Sequence, residues 1–153
     1  MSRLALVALL LTTLAACDAG GSDSDPFDGL TGDPALLAGT WTWETSIACG
    51  DGSVGCTETT PGSSGRTETL SFSYTPETSS HNGTVQGFYN GREVGPTTYL
   101  VYVAAVDYTD RSEAAYYLGL GTGGSTRFGV SRERLVISDA AADGVETTYR
   151  RQR

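Results

Sequence analysis

The chain has 153 residues, a formal net charge of −8 and ten basic side chains, all of them arginine. That balance argues against nucleic acid as a partner, which is gripped by basic patches, and against a polybasic hold on anionic lipid heads. Glycine (20 residues), threonine, serine and tyrosine are plentiful, and helix formers are sparse beyond the first turns of the chain. Such a composition predicts one domain of short strands joined by tight turns.

Residues 1–16 read MSRLALVALLLTTLAA. One positive side chain, Arg3, precedes an apolar run that gives way to small residues, the layout of a secretory signal. The run is too short to span a bilayer, which needs about 20 apolar residues. It ends at LAAC, residues 14–17. This resembles the lipobox of bacterial lipoproteins: an aliphatic residue, two small ones, then cysteine. The resemblance implies that the Cys17 thiol carries a diacylglycerol and that Cys17 becomes the first residue of the mature chain. It also implies a place in the bacterial cell envelope, on a membrane held through two or three acyl chains, facing the periplasm or the cell surface.

Residues 17–36 come next, an acidic stretch with glycine, serine and two prolines. It has too little apolar surface to order itself and is predicted to be a flexible, self-repelling tether. Its DGLTGD run lacks the residue order of a calcium loop.

The domain is predicted over residues 37–153. GTWTWET alternates, with Trp41 and Trp43 on one face of a half-buried strand. The two cysteines that remain after Cys17 sit in CGDGSVGC, residues 49–56. In an oxidising compartment Cys49 and Cys56 are expected to pair. Zinc usually wants four ligands, and two cysteines with one histidine do not supply them, so no metal is expected. TLSFSYT, residues 69–75, alternates with Leu70, Phe72 and Tyr74 inward. Asn82-Gly83 and Asn90-Gly91 mark turns on either side of a short strand near residues 84–89. Residues 97–108 are apolar on both faces and are predicted to form a central strand or one covered on both sides. Tyr99 and Tyr102 have opposite parity there, so at least one faces out. EAAYYLGLG, STRFGVS, ERLVISD and VETTYRR complete about eight strands, whose short connections favour antiparallel neighbours.

Two segments carry a family resemblance. LAGTWTWE, residues 37–44, resembles the first strand of lipocalin-like domains, with the G-x-W motif at Gly39, Thr40 and Trp41. The end, ERLVISDAAADGVETTYRRQ, is similar to their closing hairpin. The resemblance implies an all-β, antiparallel, about eight-stranded lipocalin-like barrel. It also implies that an arginine of the last strand, Arg150 or Arg151, packs on Trp41. Neighbouring strand residues face opposite ways, so only one of the two can. The chain lacks the long C-terminal helix of larger lipocalins, which implies a reduced barrel with little cavity and a filled core.

Little in the sequence points to chemistry. His81 lies in a turn. GLGTGG, residues 119–124, is followed by a strand pattern where a dinucleotide site needs a helix, so it is read as a β-turn. Asp107, Asp110 and Glu113 fall between two strands and are read as a solvated turn beside Arg111. No catalytic residue and no cofactor is predicted. The expected role is non-catalytic binding of a small apolar ligand, with Trp41, Trp43, Phe72, Tyr74 and Tyr102 lining the site. The alternative is a structural or protein-interaction module of the envelope with a solid core.

Overall fold

The computed structural model describes residues 25–49, 55–76, 82–107, 112–139 and 144–153. The elements, in chain order, are α1 (Pro34–Leu37), β1 (Gly39–Ala48), β2 (Thr57–Thr59), α2 (Pro61–Ser64), β3 (Glu68–Phe72), β4 (Gly83–Tyr89), β5 (Arg92–Asp107), β6 (Ser112–Leu120), β7 (Ser125–Val130), β8 (Arg134–Ser138) and β9 (Val145–Arg151). Each strand pairs antiparallel with its neighbour, and β9 returns to pair with β1. The result is a closed eight-stranded barrel. β2 is an extra strand, paired to the far half of β1 beyond the stretch that meets β3. Closure removes the sheet edges that an open β-sheet would expose.

Local chemistry explains the path. β4 and β5 are joined by Asn90-Gly91, with φ of 51° and 74°, the two positive values a tight hairpin turn needs. GLGTGG is the β6–β7 turn, closed by Leu120 N–H donating to the Gly124 carbonyl at 2.7 Å. Cys49 and Cys56 form a disulfide beside the β1–β2 hairpin. Among the described residues, register irregularities fall at two places. At the first, between Trp43 and Thr45, Glu44 is the extra residue of a bulge in β1. The bulge reverses the parity of the rest of β1: Trp43 opposes Tyr149, and Ser46 opposes Thr147 on the same inner face. At the second, between Val85 and Gly87, β5 passes through Pro96, which gives no N–H to a ladder and is tolerated at such a break.

The core is one cluster in the barrel. Leu37, Trp41, Trp43, Phe72, Val85, Tyr99, Leu118, Phe128, Val130, Leu135 and Tyr149 are all buried within it. Phe72 and Tyr99 meet edge to face at 5.4 Å, and Tyr99 donates its hydroxyl proton to the Ser73 carbonyl at 2.9 Å. Burial, and after it the nearby Tyr74, pushes the Tyr99 phenol up to about 12.

Two expectations need correction. The strand expected over residues 97–108 begins earlier, at Arg92, and is not covered on both faces. Leu100, Tyr102 and Val103 are 40%, 38% and 60% exposed. β5 outruns its partner β4, whose pairing stops at Gly83↔Tyr99, so its second half projects as a hairpin with β6. The expected tether also ends sooner than residue 36. Thr31 bridges Val130 by two backbone hydrogen bonds, and Phe27 and Leu30 pack over Gly129. Leu37, at the end of α1, is fully buried. The apolar residues Phe27, Leu30, Leu36 and Leu37, sparse as they are, find a ready surface on the barrel.

Candidate functional site

The two ends of the barrel differ in what covers them. One is where β1 begins and β9 finishes, and it is closed. Asp33 caps α1, accepting from Ala35 N–H at 2.9 Å with Pro34 in the first turn. The Trp41 indole donates to the Leu37 carbonyl at 2.8 Å. The Arg151 guanidinium lies 4.1 Å from the Trp41 ring centre and donates to the carbonyls of Leu36, Ala38 (2.6 Å) and Arg132 (2.7 Å). Arg151 is therefore the arginine on Trp41. Arg150 faces outward and pairs with Glu44 at 2.6 Å. Gly39 makes room for the clasp: a Cβ there would sit 2.5 Å from Arg151 Nη1, on a backbone with φ of +131°.

The other end is a cup of about 440 Å³. Ser46, Ala48, Glu68, Ile137, Thr147 and Tyr149 are among its walls. Tyr149 donates its hydroxyl proton to the Glu68 carboxylate. Burial first, and then the charge of Glu68, holds the Tyr149 phenol protonated well above the usual tyrosine range. Trp43 lies behind this lining: its indole N–H donates to Ser46 Oγ at 3.0 Å, and Ser46 Oγ lies 3.1 Å from the Thr147 hydroxyl. Arg66 reaches over from the loop before β3. Its guanidinium carbon lies 5.2 Å from the Trp43 ring centre, 5.0 Å from that of Tyr89, and its Nη2 lies 3.9 Å from Glu68. The cup thus combines apolar Ala48, Ile137 and Val145, several hydroxyls and the half-buried Glu68 carboxylate, with exposed Asp139 and Arg66 of opposite charge. Such a mixture suits orienting a small molecule.

The residues expected to line a ligand site do not converge on one cavity. Trp41 seals the closed end, Trp43 lies behind the lining of the cup, and Phe72 packs on Tyr99 in the core. Tyr74 lies half-buried past the end of β3. Tyr102 is on the outer surface, stacked on Tyr117 at 5.5 Å, while Tyr99 takes the inward parity. Cys17, His81 and Asp110 fall outside the described residues, as does the side chain of Asp107; Glu113 is exposed on β6. Glu68, Tyr149, Arg66, Ser46 and Thr147 form the cup without having been expected there. Glu68 carries a signal in retrospect, since it shares the parity of Leu70 and Phe72 and so places a carboxylate on an inward-facing row.

No protein family, curated protein or solved structure matches the chain.

Proposed function

We propose that the chain is a lipid-anchored lipoprotein of the bacterial cell envelope whose barrel is a non-catalytic binding module, taking a small ligand in the cup. Residues 1–16 act as the export signal and Cys17 bears the lipid. The observation that carries the binding reading is the Glu68–Tyr149 pair at the base of the cup beside Trp43. A ligand with an apolar body would rest against Ala48, Ile137 and Val145, and one polar or cationic group would meet Glu68. The volume lies in the range of small-molecule sites, at their lower end.

Titration of Trp fluorescence with a panel of small cationic, neutral and purely apolar probes tests this. A saturable change is expected with the cationic or polar amphiphiles, weakened at least tenfold by Glu68→Gln. A flat response to the whole panel sinks the binding reading. The anchor is tested separately: metabolic labelling with a fatty-acid analogue should mark the parent chain and not Cys17→Ser, and an unlabelled parent would refute lipidation.

A second reading, an interaction module with a solid core, is supported by a different observation. Trp41, Trp43, Phe72, Tyr99 and Phe128 occupy the interior, and Leu100, Tyr102 and Val103 are presented to solvent on the projecting hairpin.

A further inference from the structure

The average charge of the chain hides where its arginines are. Of the ten basic residues in the sequence, Arg132, Arg134, Arg150, Arg151 and Arg153 line one cleft of about 700 Å³ at the closed end, against only Glu44 and Glu133. Arg134 and Arg150 are direct cross-strand partners. Like charges placed opposite each other weaken a sheet; here Arg150 is offset by Glu44 and Arg134 donates to the Pro26 carbonyl. The side chains of Arg150 and Arg153 are 71% and 91% exposed, each with one carboxylate partner. The next cavity is lined by Asp25, Asp28 and Glu113 with a single arginine, Arg127, so carboxylates outnumber cations there.

The chain from Cys17 arrives beside this cleft. Arg134 donates to the Pro26 carbonyl at 2.7 Å. The stretch from Cys17 to Pro26 spans no more than about 30 Å even when fully extended. A membrane holding Cys17 is therefore within reach of the arginines.

We propose that the arginine cleft binds the phosphate headgroup of an anionic phospholipid in the membrane that anchors the chain, so that the closed end faces the bilayer and the cup faces away. Guanidinium groups match phosphate oxygens in geometry and charge. The proposal rests on the lipoprotein reading for its choice of a lipid over a soluble phosphate. It replaces the expectation, drawn from net charge alone, that the protein has no electrostatic hold on lipid heads.

The test uses the full chain carrying Cys17→Ser, which removes the acyl anchor. Its readout is the ratio of binding to vesicles containing phosphatidylglycerol over binding to pure phosphatidylcholine vesicles. The uncleaved apolar signal stretch contributes to both and cancels. The ratio should be well above one at low salt and fall as salt is added. Replacing Arg132, Arg150 and Arg153 together with alanine should lower it about 100-fold, at roughly fivefold per arginine near an anionic surface. Arg151 is left intact so that the barrel stays closed, and near-UV circular dichroism checks this. A ratio near one, or an unchanged ratio in the triple variant, overturns the proposal. So does saturable binding of inorganic phosphate without vesicle enrichment, which would assign the cleft to a soluble anion. Absence of an acyl label on Cys17 of the parent chain in cells would refute the acyl anchor and leave the vesicle result standing.

Discussion

Replacing Arg151 with alanine should cost about 3.5 kcal/mol of folding stability, whereas Arg150→Ala should cost less than about 1 kcal/mol. The two arginines are adjacent in sequence and differ only in which way they point. Arg151 makes two half-buried, charge-assisted hydrogen bonds, to Leu36 and Ala38, one exposed bond to Arg132, and a cation–π contact with Trp41. Each charge-assisted bond is worth about 1.5–3 kcal/mol and the ring contact about 0.5–2 kcal/mol. Taking the low end for the two half-buried bonds and the ring, and nothing for the exposed one, gives the figure above. Arg150 has one ion pair, to Glu44, on a largely exposed side chain. Urea unfolding monitored by Trp fluorescence measures both, because the Trp41 indole sits directly beneath the Arg151 guanidinium. At a slope of roughly 1.5 kcal/mol per molar urea, Arg151→Ala should move the midpoint down by about 2 M and Arg150→Ala by well under about 1 M. Arg151→Lys keeps the charge but cannot span three carbonyls, and should fall between them. If Arg151→Ala loses less than about 1 kcal/mol, or Arg150→Ala loses more than it does, the closed end is not held by this clasp.

Gly39→Ala should destabilise by about 1–3 kcal/mol, because a side chain at its positive φ is strained and its Cβ meets Arg151, as equilibrium unfolding would read. Cys49→Ser should cost about 2.5 kcal/mol under oxidising conditions and nothing further after reduction of the parent, by the loop-closure term for so short a bridge. Stability should hold up to about pH 10 and fall above it. Tyr99 and Tyr149 are protonated more strongly folded than unfolded, so the folded state keeps protons that the unfolded chain releases, through about pH 12 for Tyr99 and beyond it for Tyr149. Tyr149→Phe, measured across that range, should remove part of the alkaline loss.

The barrel was legible because its strands alternate and its turns carry their own chemistry. Trp41 and Trp43, Leu70 and Phe72, and the turns at Asn90-Gly91 and residues 121–124 all stand where period and residue type put them. The pairing of Cys49 with Cys56 was equally local. Much of the cup was not legible. Glu68 and Tyr149 are 81 residues apart, and no local pattern links them. The bulge at Glu44 sends Ser46 inward against the parity that Trp41 and Trp43 set, and nothing in TWETS announces it. β2 is only three residues long, below the reach of any periodic signal. The stretch before residue 37 looked too polar to order itself. Its few apolar residues gain their partners only once the barrel exists. The arginine cleft escaped for a related reason: net charge is a sum over the chain, and the fold gathers half of the positive residues at one end.

A native mass spectrum of the protein purified from bacterial membranes bears on anchor and ligand at once. The expected species is a chain beginning at Cys17, heavier by a diacylglycerol and commonly a further acyl group. It should carry a small ligand that survives gentle ionisation and is lost in Glu68→Gln. A chain of unmodified mass, or an acylated chain that never carries a ligand, would be the contrary result: the first removes the anchor, and the second leaves the cup without its occupant.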